Sequence, residues 1–251
     1  MRRPAPIVAA RGMTAPLCLV ISCEHGGRDV PPAYAALFRG HEALLDTHRG
    51  WDPGALDLAQ QMADAFAVPL HAATTTRLLI DLNRSIGHRQ LYSEFTRGLD
   101  RVRREAIVRD HYRPHRDAVE TRIGQLIEAG CRVIHVASHS FTPSLNGVVR
   151  RADLAWLYDP RRPGEVRLAG QWLAAVAALA PGLALRRNYP YQGRGDGLTA
   201  LLRTRHPESD YIGIELEVSQ RFVAAGAEPW WALRAALIDS LATALRLSRT
   251  G

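Results

Sequence analysis

The 251-residue sequence contains no lysine; all 32 basic residues are arginine. That absence excludes a Schiff-base lysine, a pyridoxal-phosphate anchor and a Walker-A lysine at once. Cysteine is almost missing too. Cys18, Cys23 and Cys131 are odd in number and form no CxxC pair, which argues against a disulfide framework or a cysteine-rich metal site. They read as buried thiols on strands. No apolar run reaches the roughly 18 residues needed to span a bilayer. The run over residues 15–23 is short and reads as a buried strand. The start, Met1-Arg-Arg-Pro, has no proper apolar stretch before Arg11, so residues 1–14 read as a frayed, disordered end rather than a signal peptide. A cytoplasmic protein with no membrane partner is the expectation.

What remains is an ordinary globular balance, with 47% hydrophobic and 23% charged residues. The length suits one large domain, expected over residues 15–251. A net charge of +7 could suit nucleic acid, yet the arginines are dispersed and no nucleic-acid-binding module is visible. No nucleic-acid partner is therefore expected. Arginine is left as the one cationic side chain for an anionic substrate, and its planar fork suits a carboxylate.

Strand-like apolar runs fall at residues 17–22, 68–73, 78–82, 132–138, 154–158, 184–187 and 211–218. Helical patterns fall at 54–66, 101–129, 164–180, 197–203 and 229–247. Strands alternating with helices predict an α/β fold, a three-layer α/β/α sandwich around a mostly parallel sheet. Ligands in such folds bind beyond the carboxyl ends of the strands.

The chemistry gathers at those ends. Ser22-Cys-Glu-His-Gly-Gly-Arg-Asp29 follows the first strand, and His135-Val-Ala-Ser-His-Ser-Phe-Thr-Pro143 lies on and after the fourth. Ile214-Glu-Leu-Glu-Val-Ser-Gln220 places Glu215 and Glu217 two apart in a strand, on one face. A charge in a buried strand is costly unless paired or metal-bound. Two strand-end histidines, His25 and His139, with inward carboxylates meet the needs of a nitrogen- and oxygen-ligated zinc site. His25 could instead cap the Gly26-Gly27 turn. His135 reads as a core histidine bonded to backbone.

Two further stretches stand out. In Thr76-Arg-Leu-Leu-Ile-Asp-Leu-Asn-Arg-Ser85, a strand would end in Asn83 and Arg84, a pair able to fork onto a carboxylate. The plainer reading is a helix cap with a surface arginine. In Asp46-Thr-His-Arg-Gly-Trp-Asp-Pro-Gly-Ala55, Asp52 is either a metal ligand or the N-cap ahead of Pro53.

Together these segments resemble the N-formylglutamate amidohydrolase family, from about Val20 to Val223. The resemblance rests on Cys23-Glu-His-Gly-Gly, His48-Arg-Gly-Trp-Asp-Pro-Gly-Ala55, Arg77-Leu-Leu-Ile-Asp-Leu-Asn-Arg84 and Tyr112-Arg-Pro-His115. It continues through Ser138-His-Ser-Phe-Thr-Pro143, Asn188-Tyr-Pro-Tyr-Gln-Gly193 and Ile214-Glu-Leu-Glu-Val-Ser-Gln220. Singly each is weak; their order and number are specific. The family looks related to zinc carboxypeptidases and aspartoacylase-type deacylases, which implies a mixed, mostly parallel sheet and one zinc. His139-Ser-Phe141 resembles their second zinc histidine, Asn83-Arg84 their carboxylate-holding pair, and Glu217 their catalytic glutamate. One departure is clear. Their first ligand motif is His-x-x-Glu, and Arg28 stands three residues after His25. The third ligand is therefore expected from Asp52, where the family pattern keeps an acid, with Glu24 as the alternative.

The resemblance implies zinc held by His25, Asp52 and His139, with Glu217 as general base and Glu215 its rival. Arg77 joins the zinc in stabilising the oxyanion, and Asn83 with Arg84 binds the carboxylate of a small anionic N-acyl amino acid. The Gly-rich loop over residues 189–197 is expected to be a lid or specificity loop. Two other classes compete: a metal-independent Ser or Cys amidase using Cys23, Ser138 or Ser140, which lacks a GxSxG elbow, and a non-catalytic carboxylate-binding protein.

Overall fold

The strand Tyr211–Ser219 shows how this chain builds its sheet. Ile212, Ile214, Leu216 and Val218 alternate with Tyr211, Gly213, Glu215 and Glu217, so one face is wholly apolar and the other carries acids. The whole strand is buried, and a computed structural model describing residues 15–249 shows why: it runs through the middle of a sheet covered on both faces. The frayed start expected over residues 1–14 lies outside the described residues.

The strands are β1 (Leu17–Cys23), β2 (Leu70–Ala72), β3 (Arg132–Phe141), β4 (Ser144–Leu145), β5 (Val148–Val149), β6 (Leu154–Leu157), β7 (Leu185–Arg187) and β8 (Tyr211–Ser219). Six form one sheet in the order β2-β1-β3-β8-β6-β7, parallel except where β6 runs against β8. β4 and β5 form a separate small hairpin. The helices are α1 (Glu42–Leu45), α2 (Ala55–Phe66), α3 (Arg101–Ile107), α4 (Arg113–Glu128), α5 (Pro163–Leu179), α6 (Leu198–Arg205), α7 (Arg221–Ala224) and α8 (Ala227–Arg249). A 3-10 turn (Pro32–Phe38) and a π-helical turn (Val108–Tyr112) complete the path. Among the described residues no helix is long and apolar enough to cross a membrane.

The apolar sheet face packs against α2, α5 and α8, where Leu58, Met62, Trp172 and Leu241 meet Ile134, Val136, Ile214 and Leu216. Trp156 and Trp172 pack edge-to-face at 5.8 Å. On the opposite face, Val119 and Ile123 of α4 and Leu198 and Leu202 of α6 cover Val20, Val133 and Tyr211. The expected mixed α/β/α sandwich is the observed fold. His135 is a core histidine, but its partners are hydroxyls rather than backbone: Nε2 lies 2.8 Å from Ser22 Oγ and Nδ1 2.8 Å from Tyr211 Oη. Burial lowers its pKa to about 4, so the ring is neutral.

Two further expectations fail. Residues 78–82 are not a strand. None of them pairs with a strand of the sheet. The run turns instead, with Leu79 N donating to Thr76 O and Arg84 N to Asp81 O, and buries Leu79, Ile80 and Leu82 in a satellite core with Phe38, Leu91 and Tyr112. No helix follows, so Asp81 and Asn83 cap none. The cysteines are not all free thiols either. β1 and the residue entering β3 are neighbours, which brings Cys18 and Cys131 to a Cα separation of 5.8 Å, and the two are disulfide-bonded. Cys23 is the buried free thiol.

Candidate metal centre

His25 leaves β1 on a turn that only glycine permits. A Cβ on Gly27 would stand 2.6 Å from Thr74 O, because the turn runs tight against the exit of β2. Gly26 N donates to Ala73 O at 2.9 Å, and Asp52 N to His25 O at 2.9 Å. Asp52 is thereby drawn under the turn. It is not the N-cap of α2: Gly54, at φ 82°, holds that place, and the Asp52 carboxylate turns inward with 3% exposure. His139 points from the polar face of β3 near its carboxyl end, where Glu217 of β8 is its register partner.

These groups converge. Asp52 Oδ2 lies 3.4 Å from His25 Nδ1 and 3.0 Å from His139 Nδ1. The three side chains are buried and form the one such group among the described residues with spacing suited to a metal ion. Both histidines thus offer Nδ1 to a shared point, and each has its Nε2 against a second carboxylate. His25 Nε2 hydrogen-bonds Asp81 Oδ1 at 2.7 Å. His139 Nε2 contacts Glu24 Oε2 at 3.0 Å, and His115 Nε2 lies 3.3 Å from Glu24 Oε1. Imidazoles braced from behind by carboxylates are the usual backing of a metal site. Two nitrogens and a carboxylate oxygen, desolvated together, suit a divalent ion such as zinc. Glu24, the alternative third ligand, stands behind His139 instead.

Arg77 ties the acids together, Nη1 donating to Asp52 Oδ1 at 3.2 Å and Nη2 to Asp81 Oδ2 at 2.7 Å. Although burial alone would raise them, the neighbouring cations hold the Asp52 and Asp81 carboxyls well below the usual carboxylate range. Glu217 is different. Burial pushes its carboxyl up to about 8, and Oε2 is buried without a hydrogen-bond partner. Glu215 is engaged, accepting from Thr199 Oγ1 at 2.6 Å.

The pocket over these groups measures about 590 Å³ and takes in His25, Asp52, Arg77, His139 and Glu217 together with Asn83 and Arg84. Asn83 Nδ2 lies 3.5 Å from His139 Nε2, and Asn83 Oδ1 accepts from Leu198 N at 2.7 Å. Arg84 Nη1 donates to Asp196 O at 2.6 Å, while its Nε is buried without a partner. Asp196 in turn accepts from Ser85 N and Ser85 Oγ. The loop expected as a lid or a specificity loop is thus pinned as a wall of the pocket. The structure therefore gathers every predicted site residue around one cavity. The contacts of Asp81 with His25 and of Glu24 with His139 and His115 were not foreseen. An acid inside an apolar run was the available signal for Asp81; the Glu24–His115 pair spans 91 positions and left none.

A sequence profile described as N-formylglutamate amidohydrolase matches residues 17–224. No curated protein matches the sequence. The crystal structure of gene product Atu2144 from Agrobacterium tumefaciens is 29% identical, with a TM-score of 0.78 over 91% of this chain and 90% of that one. N-formylglutamate amidohydrolase from Ralstonia eutropha JMP134 shares the fold at 17% identity, TM-score 0.58, over 96% of this chain and 95% of its own. By its match over most of its length, the chain belongs to the N-formylglutamate amidohydrolase family.

Proposed function

We propose that the protein is a zinc-dependent amidohydrolase that cleaves the amide bond of an N-acyl amino acid such as N-formylglutamate, releasing the amino acid and a carboxylate. The observation that carries this reading is the convergence of two Nδ1 atoms and Asp52 Oδ2 in the pocket that also holds Glu217. His25, Asp52 and His139 would hold the ion. When bound, zinc supplies Lewis-acid polarisation of the carbonyl and of a water.

The chain's own groups do the rest. Burial raises the Glu217 carboxyl to about 8 even with His139 and Arg77 pulling it down; a bound divalent ion would lower it further, toward the range in which a carboxylate both takes and returns a proton. Its Oε2 accepts the proton from water and hands it to the leaving amine. Arg77 uses one N–H of each Nη on Asp52 and Asp81, and its remaining N–H groups serve the oxyanion. Arg84 and Asn83 hold the substrate carboxylate and so fix the amide over the ligands.

The rival nucleophiles are engaged elsewhere. Cys23 is fully buried with its thiol pKa pushed up, Ser138 Oγ donates to Ala55 O, and Ser140 Oγ donates to Pro53 O. Cytoplasmic residence belongs to the same proposal, and the Cys18–Cys131 disulfide makes it testable because such bonds are rare in a reducing compartment: thiol counting on protein from fractionated cells that finds the two cysteines bonded would overturn it. The deciding experiment pairs metal analysis with a panel of N-formyl, N-acetyl and longer N-acyl amino acids, scoring amine release. Full turnover after complete metal removal would rule the reading out.

A further inference from the structure

α4 does more than cover the sheet. It begins where the π-helical turn Val108–Tyr112 takes over from α3, and such turns shift the helix register by a residue. Tyr112, His115 and Arg116 then share one helix face, at spacings of three and four. Each props a different part of the site. Tyr112 Oη donates to Arg84 O at 2.8 Å, Arg116 Nη1 donates to Leu82 O at 3.0 Å, and His115 reaches Glu24.

The last contact matters because of where Glu24 lies. It has no exposure at all, and an isolated buried carboxylate is strongly disfavoured. Its two oxygens meet two imidazoles: Oε1 hydrogen-bonds His115 Nε2 at 3.3 Å, and Oε2 makes an ionic contact of 3.0 Å with His139 Nε2 without hydrogen-bond alignment. Neither Glu24 nor His115 lines the pocket over the candidate metal centre. His115 borders a separate cavity of about 350 Å³ on the α4 side. A row of three side chains, His139–Glu24–His115, therefore links a candidate metal ligand to a helix outside the site.

We infer that His115 is a positioning residue for the metal centre, acting through Glu24 to hold the His139 ring with Nδ1 toward Asp52. The inference rests on the metal reading given above. Without the His115 N–H, Glu24 loses the partner on Oε1 and is free to rotate away from His139, so the ring loses its brace. Removing such a brace typically weakens metal binding by about 10–100-fold.

The test is zinc affinity of the purified full chain, measured by competition with a chromogenic chelator, with circular dichroism as a check on folding. His115→Phe keeps the ring volume and removes the N–H; it should bind zinc about 10–100-fold more weakly than wild type. His115→Gln restores a side-chain N–H and should recover most of the loss. Glu24→Gln combined with His115→Phe should be no weaker than the worse single variant, because the two act in series. Wild-type affinity in His115→Phe, or fully additive losses in the double variant, would overturn the inference while the metal reading stands. Absence of zinc binding by wild type would overturn both. If His115→Phe does not fold, Glu24→Gln alone decides: unchanged zinc affinity refutes the link.

Discussion

Glu217 stands beside His139 as its register partner across the parallel β3–β8 ladder, so the two side chains leave the same face of the sheet. Asp52 Oδ2 approaches His139 from one direction, and the Glu217 carboxyl, lacking a partner on Oε2, occupies another. Glu215, one pleat earlier, pairs with Ala137 and is tied to Thr199. Two glutamates on one strand thus have different environments.

Glu217→Gln is accordingly expected to retain zinc and lose about 10²–10⁴-fold in kcat, the usual loss for a general base. Glu215→Gln should lower the melting temperature while leaving more of the turnover, since it disturbs the Thr199 link at the start of α6. Turnover and zinc content of the two variants measure this directly; the opposite ranking would make Glu215 the base.

Removing the ligands should separate from removing their braces. His25→Ala, His139→Ala and Asp52→Ala should each abolish stoichiometric zinc. Asp81→Asn, which leaves His25 in place but weakens the 2.7 Å contact to its Nε2, should bind zinc about 10–100-fold more weakly. Metal titration ranks them, and a His25→Ala protein that holds a full equivalent of zinc would remove His25 from the ligand set.

Metal and fold should also be coupled. An ion held by the assembled site and not by the dispersed residues stabilises the fold, so free zinc at 100 times its dissociation constant should stabilise the protein by about 2.7 kcal/mol. A chelated sample should melt earlier and recover on adding zinc. Identical melting curves with and without zinc would contradict a specific site.

Arg84→Lys should raise KM for N-formylglutamate without changing zinc content, because lysine supplies charge without the planar fork. Esterifying the α-carboxylate should harm the substrate for wild type far more than for the variant. Equal turnover of acid and ester by wild type would exclude this role for Arg84.

His135 gives a pH dependence well away from the ligands. Its pKa is lowered from the ordinary 6.5 to about 4 by burial, so the folded protein favours the neutral ring. That stability is fully present above pH 6.5, declines as the pH falls, and is gone below about 4. At about 1.4 kcal/mol per pH unit the swing is about 3 kcal/mol. His135→Gln, which cannot titrate, should show a correspondingly shallower loss of stability between these limits in pH-dependent denaturation. Parallel curves for the two proteins would refute it.

Much of this site was legible because polar residues interrupt strands that are otherwise apolar. His139 in β3 and Glu217 in β8 put ionisable groups on one face of fully buried strands, and a buried strand rarely tolerates that without a use for the charge. Residues 78–82 show the limit of the same logic. An apolar run reports burial, not hydrogen-bonding partners, and this one is buried in a turn. Asp52 was ambiguous in sequence because an acid before Pro-Gly caps helices as readily as it binds ions; the turn at Gly26-Gly27, folded over it, takes it out of the cap. His115 and Glu24 are far apart in the chain, and nothing local to either signals the other. Cys18 and Cys131 were hidden in the same way, brought together by a strand pairing rather than by spacing.

The pinning of the loop over residues 189–197 bears on how substrate arrives. Asp196 is clasped by Ser85, Asn83 receives Leu198 N, and Gly197 passes so close that a Cβ there would stand 3.0 Å from Asn83 Oδ1. With Asn188 Oδ1 accepting from Tyr158 N just before the loop, the wall is fastened at both ends and has its shape before any ligand comes, and little ordering remains to be done on association. Stopped-flow traces with a non-hydrolysable N-acyl amino acid should therefore follow a single exponential whose rate rises linearly with ligand concentration, without the plateau that a slow closing step imposes.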